Sequence, residues 1–134
     1  MIVVDSSAWI EYLRGTGSTA DTTLRAELAA DGVLGVVDVV RLELLAGAST
    51  DRQLTVVTRL LARAVALPSL SPADHEHAAL LYRSARRSGQ TVRSLIDCLV
   101  AAAALRVDAP VLARDRDYEV LASVSPLRLA ATNG

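Results

Sequence analysis

Ile2-Val3-Val4-Asp5-Ser6-Ser7 opens the chain. Three apolar residues in succession read as a strand buried on both faces. The acid and two hydroxyl residues that follow end the strand and turn the chain. The same pattern recurs outward from there. Val33-Leu34-Gly35-Val36-Val37 is a second apolar run, Val65-Ala66-Leu67-Pro68 a short third, Val111-Leu112-Ala113 a fourth, and Leu127-Arg128-Leu129 a candidate fifth. Helical patterns fill the intervals. Trp9, Ile10 and Leu13 keep helical spacing until Gly15-Thr16-Gly17-Ser18 breaks it, and a second helix runs from about Thr19 to Ala30. Asp38 can cap a helix that ends at Gly47, and Thr50-Asp51-Arg52-Gln53 has capping-box form and opens a helix to about Arg63. Ser71-Pro72-Ala73-Asp74 combines a cap, a proline at the first helical position and a first-turn acid. That helix reaches Ser88-Gly89, and an alanine-rich helix spans Ser94 to Arg106. Short apolar strands alternating with helices predict an α/β fold, a three-layer α/β/α sandwich around a central parallel sheet of four to five strands. No repeat, linker or low-complexity tail divides residues 1–134, so the chain reads as one domain.

The bulk composition excludes several classes of function. No uncharged apolar stretch approaches the roughly 20 residues needed to span a bilayer. No basic segment followed by an apolar one opens the chain, as a signal peptide requires. Cys98 is the one cysteine, so no internal disulfide forms, and its apolar neighbours mark it as a small core residue. These features predict a cytoplasmic protein in a reducing compartment with no membrane association. The net charge is −1, so no chain-wide attraction draws it to nucleic acid. All 14 basic residues are arginine, and lysine and phenylalanine are absent. Arginine richness without lysine matches GC-rich codon usage and is not by itself functional. The missing lysine does exclude mechanisms that need an ammonium group.

Several acids stand in apolar company. Asp5 closes the first strand, Glu43 interrupts Val39-Val40-Arg41-Leu42-Glu43-Leu44-Leu45, Asp97 interrupts Leu95-Ile96-Asp97-Cys98-Leu99-Val100, and Asp115 follows the fourth strand with Asp117 close behind. Each has a local reading as well. Asp5 can cap the first helix, Ser94-Leu95-Ile96-Asp97 matches a capping box, and Asp115 and Asp117 can be turn residues. Glu43, mid-helix, has no such alternative. Open parallel sheets place ligand sites beyond the carboxyl ends of their strands. Asp5 and Asp115 fall at such ends, and Glu43 and Asp97 lie early enough in their helices to reach the same crevice. Two unit charges at about 4 Å repel by roughly 4 kcal/mol at an effective dielectric of 20. Gathered carboxylates therefore need a cation or a proton. Mg²⁺ or Mn²⁺, hard ions that prefer oxygen, suit such a set.

The order of these motifs resembles the PIN-domain family. Ile2-Val3-Val4-Asp5-Ser6-Ser7 is similar to its opening strand and Asp-Ser/Thr-Ser turn. Arg41-Leu42-Glu43-Leu44 is similar to its second acidic motif, Asp97-Cys98-Leu99-Val100 with the following alanines to its third, and Val111-Leu112-Ala113-Arg114-Asp115-Arg116-Asp117-Tyr118 to its last strand and acid-rich turn. Size and motif order most resemble the VapC toxins of bacterial toxin–antitoxin pairs. The resemblance implies a Mg²⁺- or Mn²⁺-dependent endoribonuclease. Asp5, Glu43, Asp97 and Asp115 match the catalytic quartet, Asp5, Asp97 and Asp115 hold the metal with Asp117 as accessory ligand, and Ser6 or Ser7 supports a carboxylate or a metal-bound water. It also implies a VapB-type antitoxin, held in a groove of N-terminal helices, a homodimer, and a transfer or ribosomal RNA loop as substrate. Two positions depart from the family. Ala113 stands where Thr or Ser is frequent, and Tyr118 replaces a common Phe, a change conservative for packing.

Arg93, Arg114 and Arg116 flank the acids in sequence and are candidates for RNA phosphates, which the planar guanidinium suits. Arg83, Arg86 and Arg87 share a helix face, either as a further phosphate contact or as a solvated surface. His75 and His77, two apart on a helix, point in different directions and read as surface residues. Trp9, Tyr12 and Leu13 are either core or a protein interface. A phosphoacceptor receiver domain and a P-loop enzyme both need a lysine. A haloacid-dehalogenase-type phosphatase needs an acid at position 7, where serine stands. The remaining alternative is a PIN-like module that grips RNA or a protein without cleaving it.

Overall fold

The computed structural model describes residues 1–131. Four short strands, β1 (Ile2–Val4), β2 (Leu34–Val36), β3 (Val65–Ala66) and β4 (Val111–Leu112), form one parallel sheet in the order β3-β2-β1-β4. Val3 pairs with Gly35 on one side and Val111 on the other. Both faces of β1 are covered, and Val3 and Val4 are wholly buried, as a continuous apolar run requires. At Gly35 a Cβ would lie 2.9 Å from the Met1 sulfur and 3.3 Å from Leu67, so a larger residue there would have to displace the Met1 side chain and nudge Leu67. Leu127–Leu129 does not become a fifth strand. A single parallel bridge joins Leu129 to Val111, closed by Val111 N–H to Arg128 and Ala130 N–H to Val111.

The sheet is flanked by α1 (Ser6–Arg14), α2 (Thr19–Ala29), α3 (Asp38–Gly47), α4 (Asp51–Leu61), α5 (Pro72–Arg87), α6 (Leu95–Arg106) and α7 (Arg116–Ser123). Helix α1 packs on α2 and α3, and α3 on α4, while α5, α6 and α7 pack on one another. Helix α6 is apolar all round, and Cys98 and every residue from Val100 to Ala104 are fully buried. A helix of that kind belongs inside the molecule. Its alanines let neighbouring helices approach closely. Cys98 is thus an inert core thiol, and burial pushes its pKa up to about 11.

The caps follow the sequence closely, with two corrections. Ser71 and Asp74 form the full capping box, with Pro72 in the first turn. Asp38 is not the N-cap of α3. Val37 holds that position, and Asp38 instead accepts the amides of Val39 at 2.8 Å and Leu70 at 3.2 Å. Its second bond anchors the approach to α5, a tertiary use no local pattern reveals. At α4, Thr50 accepts from Gln53 N–H, but the Gln53 side chain reaches back to Ser49 and not to Thr50.

Helix α7 is absent from the sequence reading, which leaves that stretch as a turn. It is 8 residues long. Isolated helices of that length are marginal in water, and packing must supply their stability. Tyr118 and Leu121, both almost fully buried, provide it.

Candidate metal centre

The sheet order places β1 between β2 and β4: the chain steps outward from β1 to β2 and β3, then crosses back to β4 on the other side of β1. A crevice opens beyond the carboxyl ends at such a switch point. Asp5 follows β1 and Asp115 follows β4. The first turn of α6 brings Asp97 to the same place, and α7 brings Asp117 and Tyr118.

Asp97, Asp115 and Asp117 form a tight triad. Each offers a carboxylate oxygen, and the three oxygens lie within 4.8 Å of one another. A cation bonded at roughly 2.1 Å spans about 4.2 Å between opposite ligands, so the three oxygens need to close in only slightly to share a small divalent ion. Asp97 carries the strongest sign of a missing partner. Its Oδ2 is buried and accepts no hydrogen bond. Burial, then the bond its protonated form can donate to Asp117, and the charges of Asp5, Asp115 and Asp117, raise its pKa to about 9. A carboxyl so placed is protonated near neutral pH unless a cation joins it. Mg²⁺ or Mn²⁺ fits this all-carboxylate donor set.

Asp115 and Asp117 also organise the backbone. Asp115 caps α7, its Oδ1 accepting Asp117 N–H at 2.9 Å. Asp117 Oδ2 accepts both Arg93 N–H and Ser94 N–H at 3.0 Å, fixing the entry to α6. Ser94 makes no side-chain cap bond, so the Ser94–Asp97 capping box does not form. Asp97 is released to face the site, and Asp117 serves the α6 entry from across the fold.

Asp5 lies beside the triad. It caps α1 and accepts Ser7 N–H at 3.0 Å and the Ser7 hydroxyl at 2.6 Å through Oδ2. Ser7 Oγ in turn accepts Arg114 N–H at 2.9 Å, tying β1 to the turn after β4. Oδ1 of Asp5 accepts the Tyr118 hydroxyl at 2.8 Å, and the same hydroxyl is 3.4 Å from Asp97 Oδ1. The hydroxyl gives Tyr118 a polar role that sequence reading, which sees only a packing change, does not detect. Glu43 is not gathered into the triad. It lies on the exposed side of α3, where partial desolvation of its carboxyl and then the charge of Asp5 raise its pKa and a Ser6 hydrogen bond lowers it.

The arginines divide. Arg93 reaches Asp115 at 3.6 Å and Asp117 at 3.8 Å while staying largely exposed. Arg114 pairs with Glu11. Arg116 is exposed at the start of α7, and Arg83, Arg86 and Arg87 line a shallow concavity near the end of α5. Arg86 lies 5.8 Å over the Tyr82 ring. His75 and His77 are on the surface, as expected.

A second feature opens between α1, α3 and α4. Ile10, Leu13, Leu44 and Val56, together with Arg14, Glu43 and Arg52, line a cleft of about 770 Å³. The aromatic candidates separate here. Trp9 is wholly buried core, Tyr12 is half-buried beneath the Arg25 guanidinium at 4.6 Å, and Leu13 faces the cleft. Among the described residues no helix is long and apolar enough to cross a membrane.

The PIN domain family model matches residues 2–124. The chain is 41% identical over 135 aligned positions to VapC ribonuclease Mb1587 of Mycobacterium bovis and to ribonuclease VapC11 of Mycobacterium tuberculosis, covering 98% of each chain. Among solved structures, VapBC2 from Rickettsia felis bound to a promoter DNA fragment superposes with a TM-score of 0.75 at 15% identity, covering 99% of this chain and 100% of that one. FitAcB from Neisseria gonorrhoeae gives 0.60 at 21% identity, covering 93% and 95%. The model match, the near-complete alignment with two VapC ribonucleases and the shared sheet make this chain a member of the PIN-domain family, of the VapC type.

Proposed function

We propose that the chain is a divalent-metal-dependent endoribonuclease, the toxin of a toxin–antitoxin pair. The observation that carries the chemistry is the buried, unpartnered Oδ2 of Asp97 within a triad of carboxylates. The ribonuclease names of relatives 41% identical support RNA as the substrate. Asp97, Asp115 and Asp117 would hold Mg²⁺ or Mn²⁺, with Asp5 at the margin of the set. The bound ion supplies Lewis acidity, acidifying water and offsetting charge on the phosphodiester. Asp5, buried and with three donors on its two oxygens, presents a fixed carboxylate beside the triad. Glu43 orients the attacking water and takes its proton. Its raised pKa brings it nearer the working pH, where a general base is most effective. Arg93, already poised over the acids, and Arg116 contact RNA phosphates, with Arg114 held in reserve by Glu11.

The cleft between α1, α3 and α4 would take an apolar segment of a VapB-type antitoxin. Its lining sets Ile10, Leu13, Leu44 and Val56 beside Arg14, Arg52 and Glu43, so an occupant with apolar and charged groups would also contact Glu43. The solved relatives described as VapBC2, FitAB and FitAcB support a partnered toxin. The toxin acts as a homodimer in the cytoplasm, on a structured loop of transfer or ribosomal RNA.

Cleavage of RNA by the purified protein with Mg²⁺ or Mn²⁺, lost on chelation, tests this reading. Asp97→Asn should abolish cleavage while the protein stays folded; equal cleavage by that variant refutes the assignment. Failure of the wild type to bind Mn²⁺ at millimolar concentration favours a module that binds without cutting.

A further inference from the structure

We propose that Tyr118 is a positioning residue of the acidic centre, its hydroxyl setting which oxygens of Asp5 and Asp97 face the ligand. The proposal rests on the metal-centre reading above and adds a residue outside the carboxylates. Tyr118 is the third residue of α7 and is 1% exposed. Its hydroxyl donates to Asp5 Oδ1 at 2.8 Å and stands 3.4 Å from Asp97 Oδ1. The two carboxylates come from opposite ends of the sequence, one after β1 and one in α6, and the phenol is the group that touches both.

The consequence is geometric. Asp5 is held at both oxygens, Oδ2 by Ser7 and Oδ1 by Tyr118, so its plane cannot rotate. Asp97 turns Oδ1 toward the phenol and leaves Oδ2 without a partner. Tyr118 thereby selects Asp97 Oδ2 as the oxygen offered to a ligand. A phenylalanine would fill the same core volume and supply no donor. Outer partners that orient ligating carboxylates typically contribute 10- to 100-fold in metal affinity.

Mn²⁺ titration of the full chain, followed by electron paramagnetic resonance or calorimetry, tests the role. Tyr118→Phe should weaken Mn²⁺ binding by roughly 10- to 100-fold with the stoichiometry, far-ultraviolet circular dichroism and cooperative unfolding retained. Binding within twofold of wild type reduces Tyr118 to packing and overturns the proposal. Tighter binding overturns it too, since the hydroxyl would then only relieve repulsion between the acids. If the wild type binds no Mn²⁺, the metal-centre reading fails and this proposal with it; equal binding by wild type and variant defeats this proposal alone. A second measurement leaves Tyr118 in place. In a Tyr12→Phe, Tyr82→Phe background, Mg²⁺ should produce a saturable tyrosine ultraviolet difference spectrum with the midpoint of metal binding. A flat spectrum under saturating Mg²⁺ overturns the proposal even if Tyr118→Phe does not fold.

Discussion

Asp97 concentrates the conflict between stability and function in one side chain. Its pKa rises from 3.8 to about 9, first because it is buried and then because other acids surround it. Between those values the folded chain binds a proton that the unfolded chain releases. Stability then has a negative slope with pH. In the metal-free protein this group makes stability fall as pH rises from about 4 to about 9 and level off above. Asp97→Asn removes that dependence and mimics the protonated acid. At neutral pH the metal-free variant should be more stable by about 1–3 kcal/mol, the scale of relieving a buried, poorly compensated polar group. Urea unfolding at several pH values in chelator checks both statements. A steeper decline in the variant than in the wild type contradicts them. Metal binding should release protons, because the ligands must ionise. Calorimetry in two buffers of different ionisation enthalpy measures that release.

At the level of elements, the caps do more than start helices. Asp74 closes the capping box of α5 and accepts Arg106 Nη1 at 2.8 Å, joining the start of α5 to the end of α6. Its backbone and hydroxyl donors from Ser71, with the charge of Arg106, outweigh burial and hold its carboxyl below the usual range. A depressed pKa contributes stability that is present above the unfolded value and lost as pH falls through the folded one. Asp74→Ala should cost about 2 kcal/mol at neutral pH, combining a lost cap with a lost charged hydrogen bond. Its effect should shrink in acid below about pH 4, where the unfolded wild-type chain begins to bind a proton at this carboxyl that the folded one still excludes. Denaturant midpoints at pH 7 and pH 3 decide it, and an equal loss at both counts against the charge. This box was legible because Ser, Pro and Asp at those spacings act within one turn. Helix α7 was not, because its 8 residues depend on burying Tyr118 and Leu121 against distant elements.

For the whole molecule, the acidic crevice and the cleft are separate surfaces, and Glu43 lines the cleft. A substitution in the cleft lining that leaves the acids untouched should disconnect inhibition from catalysis. Leu13 is 39% exposed and Val56 48% exposed, so charge there is tolerated by the fold. Leu13→Asp with Val56→Asp should leave RNA cleavage within twofold of wild type. It should weaken antitoxin binding at least 10-fold, since each buried apolar side chain is worth about 1.5–3 kcal/mol. Parallel cleavage and binding assays test this, and undiminished inhibition of the variant places the antitoxin elsewhere.

Residue type and spacing alone settled much of this. The apolar runs at Ile2–Val4, Leu34–Val36 and Val111–Leu112 specified buried parallel strands, because continuous apolar segments tolerate no wet face. The acids at strand ends marked the crevice, because parallel sheets end there. Periodicity says nothing, however, about which carboxylates come within a few ångströms of each other. The packing of α6 and α7 drew Asp97, Asp115 and Asp117 into one triad, left Asp5 at its edge and kept Glu43 outside on α3. The same packing turned Asp117 toward the amides of Arg93 and Ser94 and brought the Tyr118 hydroxyl between two acids. Local rules act over a helical turn or a strand pair. Electrostatic coupling depends on distance through space, and for these residues that distance exists only once the core has closed.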